Sequence, residues 1–161
     1  MNARKPITPE NAYLRLATLC AQSEQAEGDL RKKLHDWGIG GNDINAIIAR
    51  LKQEKYLDND RFARAYCNDK LRFNGWGRIK IAFMLRSKGI EQGIINDALE
   101  QIDENLYLDV LDKVLTAKVM TLTSKTPEQA RASLMRFAAS RGFEPAVFIP
   151  VVSRIIDSHE D

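Results

Sequence analysis

Apolar residues recur along most of the chain at intervals of three and four, the spacing that places them on one face of an α-helix. A turn is predicted at residues 39–42, for example, and the helix that follows it is expected to run to about Lys55 with Ile44, Ile47, Ile48 and Leu51 on one face. No stretch shows the sustained alternation of apolar and polar residues that is typical of a β-strand. The pattern therefore predicts an all-α protein with nine helices.

Polar residues and prolines mark several helix starts. The sequence TPE at residues 8–10 and again at 126–128 combines a threonine N-cap, a proline at the first helical position and an acid in the first turn. The first of these starts predicts a helix to about Gln22. Asp58 or Asp60 can cap the helix at the centre of the chain.

Glycines mark the predicted helix ends and reveal an internal repeat. Gly38, Gly89 and Gly142 lie 51 and 53 residues apart. Each has apolar residues eight and four positions before it and another directly after it. Asn74-Gly75 breaks a further helix, since both residue types tolerate positive φ.

A period near 50 predicts three tandem three-helix repeats, stacked into an elongated, curved array that offers an extended surface instead of a pocket. We expect a flexible N-terminus at 1–8, repeats at 9–57, 58–103 and 104–157, and an acidic tail at 158–161. The long first helix of the third repeat is expected to carry its apolar face on Leu108, Leu111, Val114, Leu115 and Val119.

The composition is that of a globular protein, with 44% hydrophobic and 29% charged residues in a chain of 161. No apolar run approaches the roughly 20 residues needed to cross a bilayer, and the first residues lack the apolar core of a signal peptide. We therefore expect a cytoplasmic protein. Cys20 and Cys67 lie among apolar residues and are interpreted as small buried hydrophobes.

Positive charge is concentrated at residues 58–90. Eight Lys or Arg stand there against three Asp, an excess of five, whereas the whole chain nets only +2 and the remainder is therefore about −3. A solvated helix face can carry such a run of charge. The alternative is a surface that meets phosphates or an acidic protein face.

Residue patterns for catalysis are missing. The chain contains no GxxxxGK[ST] phosphate loop and no GxGxxG sequence. Its two histidines, His35 and His159, have no Cys or His neighbour at the spacing of metal ligands. We therefore expect no enzyme activity, no cofactor and no metal site.

The central stretch resembles the RecX family. The resemblance is carried by LDNDRFA at residues 57–63, GWG at 75–77 and KGI at 88–90, and in the first repeat by LRKKL at 30–34 before Gly38. It covers roughly residues 10–155. It implies a non-enzymatic regulator of three tandem three-helix repeats that binds the RecA recombinase filament on single-stranded DNA. Such a protein usually inhibits RecA's ATPase and strand exchange in recombination and DNA repair, and also binds DNA itself.

We expect a monomer that uses its cations for long-range attraction to the filament and to single-stranded, or also double-stranded, DNA. Trp76 can either pack between repeats or stack on a base or partner surface. Arg131, Arg136 and Arg141 rank lower, because a spacing of five does not keep them on one face. The expected contact residues are Arg61, Arg64, Lys70, Arg72, Trp76, Arg78, Lys80, Arg86 and Lys88, with a second cluster at Arg31, Lys32 and Lys33.

Two other functions fit the pattern. Three-helix units resemble helix-turn-helix elements, so the chain could be an autonomous DNA-binding protein. It could also be a structural adaptor of helical repeats that binds no nucleic acid.

Overall fold

The computed structural model describes residues 6–159, and within them the chain forms nine α-helices and no strand, as the apolar pattern predicts. None of these helices is both long and apolar enough to span a bilayer. The helices are α1 Pro9–Gln22, α2 Glu27–Asp36, α3 Gly41–Gln53, α4 Asn59–Asn74, α5 Arg78–Ser87, α6 Gln92–Glu100, α7 Glu104–Val119, α8 Pro127–Ser140 and α9 Pro145–His159.

The predicted N-caps are confirmed. Thr8 Oγ1 accepts a hydrogen bond from the Asn11 amide at 3.2 Å, and Thr126 forms a reciprocal capping box with Gln129. At the start of α4, Asp58 Oδ1 accepts from the backbone N–H of Arg61 at 3.1 Å, so Asp58 is the residue that caps this helix.

The predicted helix ends at glycine are confirmed as well. Gly38, Gly75, Gly89 and Gly142 have φ values of 81°, 64°, 80° and 89°. The predicted end of α3 near residue 55 was about two residues too late, because the helix ends at Gln53 and Lys55 adopts a φ of 64°. The pattern did not indicate this turn, since lysine rarely adopts the left-handed conformation.

The chain divides into two compact units, each made of two segments. The first unit contains the described residues up to 65 together with Leu85–Asn96, and the second contains Tyr66–Met84 together with the described residues from 97 onward. The division falls inside α4, α5 and α6, and the predicted repeat boundaries at 57/58 and 103/104 stay a prediction. Residues 1–5 of the predicted flexible N-terminus and 160–161 of the predicted acidic tail lie outside the described residues.

The core of the first unit is built by α1, α2 and α3, with α3 packed against both of the others. It contains the apolar positions that the helical spacing predicts, and Cys20 and Trp37 pack against its edge. Its buried members are Ala12, Tyr13, Leu16, Ala17, Leu30, Leu34, Ile39, Ile44, Ile47, Ile48, Leu51 and Leu57.

In the second unit, α7, α8 and α9 pack against one another. The predicted apolar face of α7 was displaced by one residue at its start, because Tyr107 is fully buried whereas Leu108 is 42% exposed. Tyr107, Leu111 and Leu115 follow one another at intervals of four and form the buried stripe. Tyr107 also packs on Phe143, with 5.2 Å between the ring centroids.

Each unit contains a joint in which the start of one helix meets the end of another. In the first unit, the Gly28 amide in the first turn of α2 donates to the Lys88 carbonyl just after α5, at 2.9 Å. In the second unit, the Gly77 amide before α5 donates to the Arg141 carbonyl after α8 at 2.8 Å, and the Ile79 amide donates to the Gly142 carbonyl at 2.9 Å. Each joint therefore satisfies amide and carbonyl groups that helix ends leave unpaired.

Candidate nucleic-acid and partner interface

The joint of the second unit sets the conformation of the GWG turn at residues 75–77. A Cβ atom on Gly77 would lie 2.5 Å from the backbone of Gly142, and one on Gly75 would lie 3.0 Å from the Val114 side chain. Only glycine fits at these two positions without a shift of its neighbours. The Trp76 amide donates to the Lys70 carbonyl at 3.1 Å, so the turn holds the tryptophan between two constrained residues.

The Trp76 ring is half-buried and lies beneath two ammonium groups. Lys80 Nζ is 4.6 Å and Lys70 Nζ 5.0 Å from the ring centroid, and Lys70 Nζ also lies 5.3 Å from the centroid of Tyr66. Within residues 6–159 neither lysine forms an ion pair. We call Tyr66, Lys70, Trp76 and Lys80 the Trp76 cluster. Its aromatic surface and uncompensated charge are suited to a base with its phosphate, or to an acidic partner.

Arg78 was also expected to contact a partner, and the structure places it in a network within the second unit. Its guanidinium pairs with Glu144 at 2.9 Å and with Glu104, and lies 3.9 Å from the Tyr107 ring centroid. The side chain is only 18% exposed. Burial opposes its charge, but the carboxylates outweigh that effect, and the pKa of Arg78 is raised.

Tyr107 completes this network from the core side. Its hydroxyl accepts from the Arg78 backbone amide at 3.0 Å and donates to Glu144. Burial, with the Glu144 hydrogen bond adding to it, raises the pKa of Tyr107, so the hydroxyl stays protonated and able to donate. The network holds the start of α5 to the starts of α7 and α9.

Three further expected contact residues are paired with acids inside the first unit. Arg61 binds Glu24 at 2.9 Å and also donates to the Lys55 and Tyr56 carbonyls, beside the left-handed turn that follows α3. Lys88 binds Asp29 at 2.8 Å next to the first joint. Arg31 binds Glu27 at 3.1 Å. Each of these three cations already has a carboxylate partner, although Arg31 shares Glu27 with Lys52, so their attraction for a polyanion is reduced.

The other expected contact residues face solvent. Arg64, Lys32 and Lys33 are exposed and have no ion-pair partner in the part of the chain that the structure describes. Arg72 and Arg86 are exposed too, and each donates to a neutral side-chain oxygen: Asn68 Oδ1 at 2.8 Å and Gln92 Oε1 at 3.3 Å. These five cations, with Lys70 and Lys80, carry the uncompensated charge of the predicted set.

A second aromatic ring flanked by cations lies in the second unit. Lys118 Nζ is 5.1 Å and Arg141 Cζ 5.2 Å from the centroid of Phe137. The sequence did not predict this arrangement, because the two cations come from different helix ends and only packing brings them to one ring. The sequence offered only indirect signs of this site: the adjacent Arg136 and Phe137, and two lysines, Lys118 and Lys125, shortly before them.

Comparisons with known proteins agree with one another. The model of the RecX second three-helix domain matches residues 58–99. A regulatory protein RecX of Clostridium perfringens (strain 13 / Type A) is 27% identical over 164 residues, which cover 98% of this chain and 76% of the relative. The regulatory protein RecX of Chlorobaculum tepidum is 28% identical over 126 residues, covering 78% of this chain and 76% of the relative.

Solved structures share the fold. A crystal structure of regulatory protein RecX superposes with a TM-score of 0.82 at 20% identity, covering 89% of this chain and 72% of the other. The crystal structure of RecX from Lactobacillus salivarius gives a TM-score of 0.79 at 16% identity, covering 94% of this chain and 96% of the other.

Proposed function

We propose that this chain is a RecX-family protein that regulates RecA by binding the recombinase filament on single-stranded DNA and inhibiting its ATPase and strand exchange, without chemistry of its own. The observation that carries this proposal is the match of the RecX second three-helix domain to residues 58–99. That segment contains the Trp76 cluster and five of the seven uncompensated cations of the expected contact set, namely Arg64, Lys70, Arg72, Lys80 and Arg86.

The proposed contact is electrostatic with an aromatic component. A nucleoprotein filament presents phosphates and acidic protein surfaces, and uncompensated Lys and Arg side chains attract both. Trp76 adds a rigid surface with little conformational entropy to lose on binding. A protein bound across neighbouring subunits would oppose the movements that accompany ATP turnover.

The pairing of charges divides the expected contact residues into two groups. Arg31, Arg61, Arg78 and Lys88 are matched by acids within their own unit and support a structural role. We propose that the contacts to the filament are made by the outward group, which comprises Lys32, Lys33, Arg64, Lys70, Arg72, Trp76, Lys80 and Arg86.

The test is RecA's ATP hydrolysis on single-stranded DNA, titrated with the purified protein. We expect inhibition by the wild-type chain and a weaker effect of the variant Arg72→Gln/Lys80→Gln, in which both Gln side chains keep part of the aliphatic stem. The matched control is Lys113→Gln/Arg131→Gln, which removes two cations that likewise form no ion pair within residues 6–159, outside the Trp76 cluster. Unchanged hydrolysis across the titration would refute inhibition, and equal loss in both variants would refute the assigned contact surface.

The second candidate, an autonomous DNA-binding protein, is favoured by the packing of α1, α2 and α3 and of α7, α8 and α9 as three-helix groups, which resemble helix-turn-helix elements. It predicts sequence-selective binding to duplex DNA without RecA. A mobility-shift series at increasing salt separates the two, because binding carried by phosphate contacts alone falls steeply with salt and is indifferent to sequence.

A further inference from the structure

An open groove of about 400 Å³ lies in the second unit beside the end of α7 and one face of α8. Ser133, Arg136, Phe137 and Ser140 line it from α8, where spacings of three and four place them on one face. Lys118 lines it from the last turn of α7, and Lys125 from the α7–α8 connection. Leu122 completes an apolar floor with Phe137.

The charged side chains that line the groove are all positive. Lys118, Lys125 and Arg136 line it, and among the described residues no carboxylate does. None of the three forms an ion pair within residues 6–159. Elsewhere in this unit Arg154 is paired with Asp112 at 2.7 Å and Arg78 with Glu144 at 2.9 Å. Three unmatched cations around one groove repel one another, and a bound anion would relieve that repulsion.

Arg141 connects the groove to the Trp76 cluster. Its guanidinium lies 5.2 Å from the Phe137 ring centroid and donates to the Asn74 carbonyl at 3.0 Å, two residues before Trp76. Its own carbonyl accepts the Gly77 amide. Cations and aromatic rings therefore alternate from Lys80 and Trp76, through Arg141 and Phe137, to Lys118, all within one unit.

We propose that this groove binds the phosphodiester backbone of single-stranded nucleic acid, with Lys118, Lys125 and Arg136 on the phosphates, the Ser133 hydroxyl as a further donor and Phe137 as a stacking surface. An open groove admits a polymer that continues past both ends. An aromatic floor suits unpaired bases, whose faces stack on it regardless of sequence. An acidic protein segment would form ion pairs with the cations but has no bases to stack on the Phe137 ring.

The inference extends the proposed function, since it assigns a nucleic-acid site outside residues 58–99. It does not depend on RecA. The test therefore uses the full chain with a fluorescein-labelled oligothymidylate, RecA being absent, and measures anisotropy over a salt series. The groove variant is Lys125→Gln/Arg136→Gln, and the control Lys113→Gln/Arg131→Gln removes two cations that likewise form no ion pair within residues 6–159, from the same unit outside the groove. Far-UV circular dichroism and the urea midpoint check that each variant is folded.

We expect the groove variant to bind roughly tenfold or more weakly near 0.1 M salt, because two phosphate contacts are lost. The plot of log K against log salt has a negative slope, and its magnitude should fall by about 1.4, since each contact to a single strand contributes about 0.7. The control should keep the wild-type slope. Equal slopes in the groove variant and the control would overturn the proposal.

Two further measurements separate the groove's ligand from other polyanions. Phe137→Leu keeps an apolar floor and should weaken binding of the oligothymidylate while leaving an abasic oligomer unaffected; equal loss for both would overturn the stacking assignment. If the groove variant lost affinity for polyglutamate as strongly as for the oligothymidylate, the groove would be a site for acidic protein segments instead. Since RecA is absent throughout, these outcomes stand independently of the ATPase result.

Discussion

The amide of Gly77 donates to the carbonyl of Arg141 at 2.8 Å, so that the start of α5 meets the end of α8 backbone to backbone. The positive end of one helix dipole then lies beside the negative end of the other, which favours the contact. Gly28 and Lys88 repeat the arrangement in the first unit at 2.9 Å. In both joints the neighbouring backbone occupies the space that a side chain would need: a Cβ on Gly28 would lie 2.3 Å from the Lys88 carbonyl oxygen.

The first prediction concerns the glycine of the second joint. Gly77→Ala places a Cβ 2.5 Å from the Gly142 carbonyl and should lower the free energy of unfolding by about 1–3 kcal/mol, as overpacking does. Gly93→Ala is the control, because no atom lies within 4 Å of its Cβ position in α6. It should leave stability unchanged or raise it by up to about 1 kcal/mol. Urea denaturation measures both, and equal midpoints would contradict the role assigned to the joint.

The second prediction concerns the Arg78 network. Arg78→Ala leaves the Glu144 and Glu104 carboxylates without their cation and should cost about 2–3 kcal/mol of unfolding free energy. The backbone amide of residue 78 can still donate to the Tyr107 hydroxyl. Arg154→Ala removes an exposed pair with Asp112 and should cost less than about 1 kcal/mol. Thermal and urea unfolding check the difference. If the Arg78 variant were as stable as the Arg154 variant, the network would not hold the helix starts together.

The third prediction is a pH dependence that comes from Glu27. Burial alone would raise the pKa of this carboxyl, but hydrogen bonds from Lys52 and Arg31 overcome it and lower the pKa below its ordinary value of 4.5. The stabilisation is therefore complete above pH 4.5 and is lost as the pH falls through the lowered pKa. Glu27→Gln should reduce stability at neutral pH and flatten its decline in acid.

Urea midpoints measured from neutral pH to below pH 4.5 test this, with exposed Glu100→Gln as the control. The control should follow the wild-type curve. A Glu27→Gln curve that kept the full acid dependence would assign it to other carboxylates.

The fourth prediction distinguishes the two thiols. Burial raises the pKa of both thiols, that of Cys67 to about 11. Cys67 is 1% exposed, whereas Cys20 is half-buried at the edge of the first core. At neutral pH an aromatic disulfide reagent should modify Cys20 in the folded chain and Cys67 only after denaturation, because the thiolate is the reactive form. Cys20→Ser should abolish the reaction of the folded chain. Rapid modification of both thiols would show that the core around Cys67 opens readily.

The local signals in the sequence were reliable where the relevant hydrogen bonds span only a few residues. Thr8, Thr126 and Asp58 cap their helices because the acceptor and donor lie within one turn. The end of α3 was placed too late because Lys55 adopts a conformation that residue type does not predict. There the Arg61 guanidinium donates to the Lys55 carbonyl at 3.2 Å, a contact that residue type alone does not indicate.

The sequence by itself determined the helical class, the capped helix starts, the helix ends at glycine and the concentration of cations at residues 58–90, since all of these depend on composition, periodicity and local hydrogen bonding. Only the tertiary structure decided which cations remain uncompensated. Arg78 meets Glu144 across 66 positions and Arg61 meets Glu24 across 37, and no local pattern reveals such partners. Packing likewise brought Lys118 and Arg141 to the Phe137 ring. A charge's availability to a partner depends on its neighbours in space, and those are set by the fold.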